Sequence, residues 1–191
     1  MIRIDPQAIG GKIREVLQNS SNRAGSYNYY QCRLANDAMF TEAEMRLYDW
    51  ILGKFPDGAN IHEFAAGVGQ LSALLCASGY DVSMSEYDTL RFNLAVDVRN
   101  ALGLDDRLVI HPEPWQTLSL DKVQCLFSVN AANSANKWPG DKRLFEKVIN
   151  NGGHVVFTPR LYVPDTVIEL DPAVGHYAKP IGCEMWEWGK C

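Results

Sequence analysis

The stretch Ile61-His62-Glu63-Phe64-Ala65-Ala66-Gly67-Val68-Gly69-Gln70-Leu71-Ser72-Ala73-Leu74-Leu75 decides the fold. It reads as a buried strand, a glycine-rich turn and a helix in immediate succession. Gly67 and Gly69 carry no Cβ, so the backbone can take positive φ and a ligand can lie close to the main chain. The helix opening at Gln70 presents unpaired N–H groups to whatever sits above the turn. A second strand-like run, 81–85, leads into the acid Glu86, an interval that completes half of a doubly wound nucleotide-binding unit.

Towards the C-terminus the alternation continues. Strands are expected over 60–65, 81–85, 107–111, 123–129 and 154–158, with helices over 70–78, 89–102 and 141–149. Gly103 is placed as a C′ residue, and Asn150-Asn-Gly-Gly153 as a helix terminator. The near-continuous apolar run at 123–129 marks a central strand. Such alternation implies an α/β fold with a doubly wound, mostly parallel sheet and right-handed crossovers. After 160 the prolines at 164, 172 and 180 exclude a long regular helix. The alternating Met185-Trp-Glu-Trp188 reads as a terminal strand with both tryptophans on one face.

Towards the N-terminus, Thr41-Glu-Ala-Glu44 forms a capping box, with Phe40 and Met45 spaced for a hydrophobic staple. The helix after it carries Met45, Tyr48, Ile51 and Leu52 on one face, and Phe55-Pro-Asp-Gly58 ends it. Asp5-Pro6 is an N-cap and a first-turn proline, followed by Ile9, Ile13, Val16 and Leu17 at helical spacing. Tyr27, Tyr29 and Tyr30 lie between these helices in a segment without periodicity. They read as rings packed on the core edge, with a mobile lid as the other reading. Residues 1–58 are thus a helical extension or lid, and 59–191 the ligand-binding part of the same domain.

A chain of 191 residues fits one domain. Its 47% apolar and 21% charged content points to a soluble globular protein and disfavours disorder. The net charge of −5 argues against a nucleic-acid partner. The five cysteines show no Cys-x-x-Cys spacing, so neither a disulfide framework nor a metal site follows, and Cys76 and Cys125 read as small core residues. A basic leader with an apolar run is missing, as is any stretch near ~18 uninterrupted apolar residues. No signal peptide or membrane contact is expected, and a cytoplasmic location is the default.

The motifs resemble those of the class I S-adenosylmethionine-dependent methyltransferases. Glu63-Phe64-Ala65-Ala-Gly67-Val-Gly69 is similar to that family's acid-x-Gly-x-Gly-x-Gly motif, with Ala65 in place of the first glycine. The run Val82-Ser-Met-Ser-Glu86-Tyr87-Asp88 matches the strand whose terminal acid holds the ribose hydroxyls. Pro112-Glu113-Pro114 falls where the family often places an acceptor for the adenine amino group. Phe127-Ser-Val-Asn130 falls where its reacting groups converge, and Gly152-Gly153-His-Val-Val-Phe-Thr158 resembles its glycine-led fifth strand. The resemblance, over about 59–160, implies S-adenosylmethionine as cofactor, bound by Glu63, Phe64, Ala65, Gly67, Gly69, Glu86, Tyr87, Glu113, Trp115 and Asn130. Trp115 has a second reading, closing the core. The resemblance also implies a seven-stranded sheet with an antiparallel last strand, although the short tail here leaves its far edge open.

The chemistry of that cofactor agrees with these residue types. A carboxylate such as Glu86 accepts from both ribose hydroxyls. Glycines let the methionine portion lie against the backbone, and Glu63 suits positive charge while repelling a pyrophosphate. Gly67-Val-Gly69-Gln-Leu-Ser72 lacks the third glycine of a dinucleotide fingerprint, and no Walker lysine follows. A turn with no ligand is the plain alternative, disfavoured by the spacing to Glu86.

No residue stands out as a general base. His62, His111 and His154 sit in or beside strands and read as structural, which leaves His176 in the tail as the candidate. Methyl transfer from a sulfonium depends mainly on positioning a nucleophile. The family's Asn/Asp-Pro-Pro-aromatic box is missing, since Asn130 is followed by Ala131-Ala-Asn133. A small-molecule acceptor methylated on oxygen or nitrogen is therefore the expected partner, with Tyr30 and Asn133 as candidate contacts. The alternative is a non-catalytic module that binds S-adenosylmethionine or S-adenosylhomocysteine as a sensor or partner subunit. An NAD-dependent oxidoreductase is disfavoured.

Overall fold

The computed structural model describes residues 4–20, 39–129, 142–158, 176–180 and 186–190. The tyrosines at 27, 29 and 30, together with Asn130 and Asn133, lie outside the described residues.

Helix α1, Pro6–Asn19, begins at the expected cap: the Asp5 carboxylate accepts from the Gln7 N–H at 2.9 Å. Helix α2, Glu42–Lys54, begins at the capping box, in which Thr41 Oγ1 accepts from the Glu44 N–H and Glu44 accepts from the Thr41 N–H. The buried face of α2 is Glu44, Leu47, Tyr48 and Ile51, a stripe at i, i+3, i+4 and i+7. It is rotated from the expected one, because Met45 and Leu52 are only partly buried. The rotation carries the cap acid Glu44 inward, where a long-range partner described below satisfies it.

The core of the fold is β1 (Asn60–Phe64), α3 (Gln70–Ala77), β2 (Asp81–Ser85), α4 (Thr89–Ala101), β3 (Leu108–His111), β4 (Cys125–Val129), α5 (Lys142–Asn150) and β5 (His154–Thr158). Strands β6 (His176–Pro180) and β7 (Trp186–Lys190) complete a seven-stranded sheet in the order β3-β2-β1-β4-β5-β7-β6. The first five are mutually parallel, and β7 pairs antiparallel with both β5 and β6. The resemblance implied both the seven strands and the antiparallel last one, but no residues were assigned to β6. Chain order reverses between β1 and β4, which makes the carboxyl ends of these two strands the crevice of the sheet.

Strands β1 and β4 are buried on both faces, as central parallel strands must be. Successive residues feed two cores. Ile61, Phe127 and Val156 join Val82 and Met84 beneath α1 to α4, whereas Phe64, Leu126 and Val155 meet Phe145, Val148 and Ile149 of α5. Leu120 and Val123, from the connection before β4, finish the second core. Helices α3, α4 and α5 each end in the same paired bonds, for example Gly103 N to Asn100 O and Leu104 N to Arg99 O at 3.0 Å. These are Schellman caps with glycine at C′, as expected for Gly103. Among the described residues no helix is long and apolar enough to cross a membrane.

Candidate functional site

The turn between β1 and α3 alternates left-handed residues: Ala65 has φ 51°, Gly67 φ 64° and Gly69 φ 68°. Ala65 is the only non-glycine with positive φ among the described residues, and it holds the position that the resemblance gives to a glycine. The turn is tied to β2 by the Ala66 N–H to Ser85 O at 3.1 Å and closed by the Gly69 N–H to Ala66 O at 3.0 Å. At φ 68° the Gly69 backbone favours glycine whatever surrounds it. A Cβ there would collide with Met84 Sδ and lie 2.8 Å from its Cε, so it points into the protein beneath the turn.

Two acids frame this turn, and both are buried. Glu86, 3% exposed, follows the end of β2; its Oε2 accepts from the Gly67 N–H and its Oε1 from the Asp88 N–H, each at 2.9 Å. The carboxylate therefore reaches across from β2 to the glycine turn. Glu63, also 3% exposed, accepts at Oε2 from the Ser72 hydroxyl at 2.6 Å and the Ser72 N–H at 3.2 Å, within the first turn of α3. Two of the N–H groups that could cradle a phosphate, those of Gly67 and Ser72, are in this way already given to carboxylates.

Two residues that the sequence reading did not single out complete the arrangement. Gln70, the first residue of α3, donates from Nε2 to Glu44 Oε1 at 2.8 Å. Its own Oε1 is buried and accepts no hydrogen bond, and the buried Ser128 hydroxyl on β4 is likewise without one. Only the helical position of Gln70 was available as a signal; its partner is 26 residues away.

The other candidates fall in different places. Tyr87 is 74% exposed in the loop after Glu86, open to a flat ring. Glu113 stands half-exposed beyond β3, its Oε1 3.6 Å from His111 Nδ1. Trp115 begins a 3₁₀ turn at Trp115–Thr117. Phe64 is corrected: its side chain is fully buried in the α5 core, with its ring centroid 5.9 Å from that of Phe145, so only its main chain borders the turn. His176 is corrected as well. It opens β6, the edge strand, where it pairs with Lys190. Because β6 runs parallel to β1, His176 is at the amino end of the sheet, opposite the crevice, and four strand spacings, roughly 19 Å, to the side.

Two of the remaining histidines have partners within the fold. His154 packs its ring against Trp50 and Phe55, with centroids 6.1 and 5.6 Å away. His62 is buried, with Nδ1 2.8 Å from Ser83 Oγ and Nε2 3.1 Å from Ser85 Oγ, which laces β1 to β2. Burial, reinforced by His111, pushes its ring from 6.5 down to about 3. The unfolded chain then binds the extra proton between those values, so the contribution of His62 to stability is complete above pH 6.5 and drains away as pH falls towards 3. The slope reaches about 1.4 kcal/mol per pH unit for one group. A His62→Gln variant, which keeps an amide between the two serines, should lose stability less steeply on acidification. Urea midpoints taken across that window test this; parallel slopes for the two proteins would remove the assignment.

No family model matches the chain, and no curated protein matches it in sequence. Solved structures match it in shape. The magnesium protoporphyrin IX methyltransferase of Synechocystis PCC 6803, solved with bound S-adenosylmethionine, superposes with a TM-score of 0.62 at 13% identity over 100% of both chains. An rRNA methylase from Streptococcus thermophilus gives 0.57 at 13% identity, over 80% of this chain and 99% of that one. A methyltransferase from Thiobacillus denitrificans, solved with S-adenosylhomocysteine, gives 0.52 at 18% identity over 62% of this chain. The chain spans about half the length of that protein, 48%. With its strand order and its antiparallel β7, this chain has the Rossmann-like fold of the S-adenosylmethionine-dependent methyltransferases.

Proposed function

We propose that the chain is an S-adenosylmethionine-dependent methyltransferase that acts on an oxygen or nitrogen atom of a small molecule. The observation that carries this reading is the buried Glu86 carboxylate held across the glycine turn by the Gly67 N–H. The buried carboxylates of Glu63 and Glu86, one on each side of the turn, suit a ligand with hydroxyl and ammonium donors. A pyrophosphate does not fit, because it would meet carboxylates where it needs N–H donors. In this reading Glu86 holds the ribose diol, and Tyr87, Glu113 and Trp115 border the adenine. Glu63 and the main chain of Phe64, Ala65, Gly67 and Gly69 line the methionine half, with Asn130 beyond β4. When bound, the cofactor supplies a methyl group on a sulfonium, a good leaving group. The protein's part is then to orient the acceptor and exclude water.

The net charge of −5 supports a small acceptor over a polyanion such as RNA, and Tyr30 and Asn133 remain the candidate contacts to it. Calorimetry with S-adenosylmethionine and S-adenosylhomocysteine is the direct test; no heat with either at millimolar ligand would end the proposal. Transfer of a labelled methyl group across a panel of small hydroxyl and amine acceptors then separates an enzyme from a sensor. Tight binding without transfer to any acceptor would favour the sensor.

A further inference from the structure

Gly10 and Gly11 occupy the middle of helix α1, although glycine is among the poorest helix residues. Gly10 has a packing reason. A Cβ there would stand 3.2 Å from Met39 Cβ and 3.4 Å from Phe40 Cε2, so the glycine lets the lead-in to α2 press against the helix. Gly11 has no such reason, because a Cβ there would meet nothing within 4 Å. It borders a cavity of about 370 Å³, a size that admits a small organic ligand. One wall is the face of α1 that carries Gln7, Gly11 and Arg14 at i, i+4 and i+7, with the Gly11 main chain uncovered. The other wall is Met39, Phe40 and Met45, at the start of α2. Phe40 and Met45 are only partly buried, which leaves apolar surface facing this space. Among the described lining residues Arg14 alone is charged, and none belongs to the glycine turn, to β2 or to the loop after β3. The cavity is therefore distinct from the crevice of the sheet.

We infer that this cavity is a binding site for a small organic anion, a carboxylate on an aromatic or aliphatic body. The body lies against Met39, Phe40 and Met45 and passes close over the Gly11 main chain, and the carboxylate is held by Arg14. Charge decides the class of ligand. A guanidinium repels an ammonium and offers a carboxylate charge-assisted hydrogen bonds, and no acid among the described lining residues reverses that preference. With five N–H donors, the guanidinium can receive a carboxylate beside the contacts that Arg14 already makes. Apolar contact supplies the remaining affinity, since a ligand seated here takes the surface of Phe40 and Met45 out of water. Occupation of this site does not require the cofactor.

The test follows the amide resonances of Gly10, Gly11 and Arg14 while hydrocinnamate, octanoate or hydrocinnamyl alcohol is titrated into the full chain. Both anions should move these resonances, and hydrocinnamate should bind roughly 10-fold or more tightly than the alcohol with the same body. Arg14→Met should abolish that preference, weakening hydrocinnamate roughly 10-fold and leaving the alcohol within about twofold. Gly11→Leu puts a side chain into the cavity and should weaken all three probes by roughly 10-fold or more. Its melting temperature should stay level or rise, because leucine is the better helix former, and this variant decides the matter if Arg14→Met does not fold. Absence of any shift at these amides with either anion at millimolar concentration, equal affinity for hydrocinnamate and its alcohol, or binding untouched by Gly11→Leu would each overturn the inference.

Discussion

Glu86→Ala is expected to weaken S-adenosylhomocysteine binding by roughly 10- to 150-fold, the equivalent of about 1.5–3 kcal/mol for hydrogen bonds to a charged group. The same substitution should lower the melting temperature of the ligand-free protein. Glu86 holds the Gly67 and Asp88 N–H groups at 2.9 Å, and its removal strips both of their acceptor at the point where β2 meets the glycine turn. The two effects separate by measurement. Calorimetry at a temperature where the variant remains folded reports the ligand term, and thermal unfolding without ligand reports the turn. Unchanged affinity in a folded variant would show that the carboxylate ties the backbone together and does nothing for a ribose. A loss of affinity with no change in melting temperature would contradict the apo geometry instead.

The second large effect is on stability. Gly69→Ala combines a left-handed backbone at φ 68° with a Cβ driven into the fully buried Met84 side chain. The backbone term costs about 1–2 kcal/mol and overpacking about 1–3 kcal/mol, so a loss on the order of 2–5 kcal/mol is expected. Gly58→Ala is the control. Gly58 has φ 76° but open space around its Cβ position, so that variant carries the backbone term alone. Urea unfolding of the two variants isolates the Met84 contact as their difference. Equal costs would mean that Met84 swings aside freely and that Gly69 is required by its φ and nothing more.

Elements whose causes are local were readable from the residues in them. The Asp5 cap, the Thr41 capping box and the Gly103 terminator each act within a few residues, and buried parallel strands announce themselves as short apolar runs. Glu86 was legible because the interval from turn to second strand is set by the length of the helix between them. Strand β6 was not. It is a five-residue edge strand, HYAKP, that ends at Pro180, too short and too mixed in residue type to show a period. With β6 unread, His176 was left in a loose tail, whereas the sheet order places it at the far edge and the opposite end. The α2 stripe was placed one position off because Glu44, read only as part of the capping box, also turns inward. Its inward turn depends on Gln70, a partner on another helix.

Apart from β6, the order of strands and helices, the glycine turn and the acid after β2 follow from the sequence alone, because hydrophobic period, capping chemistry and turn residues act over short distances along the chain. Tertiary structure alone decided that Glu86 bonds the Gly67 N–H, that a Cβ at Gly69 would meet Met84, and that Glu44 accepts from the Gln70 amide. Each of these joins groups brought together only when β2 lies beside β1 and α2 packs on α3. Such contacts depend on where the elements dock, and no spacing along the chain encodes that.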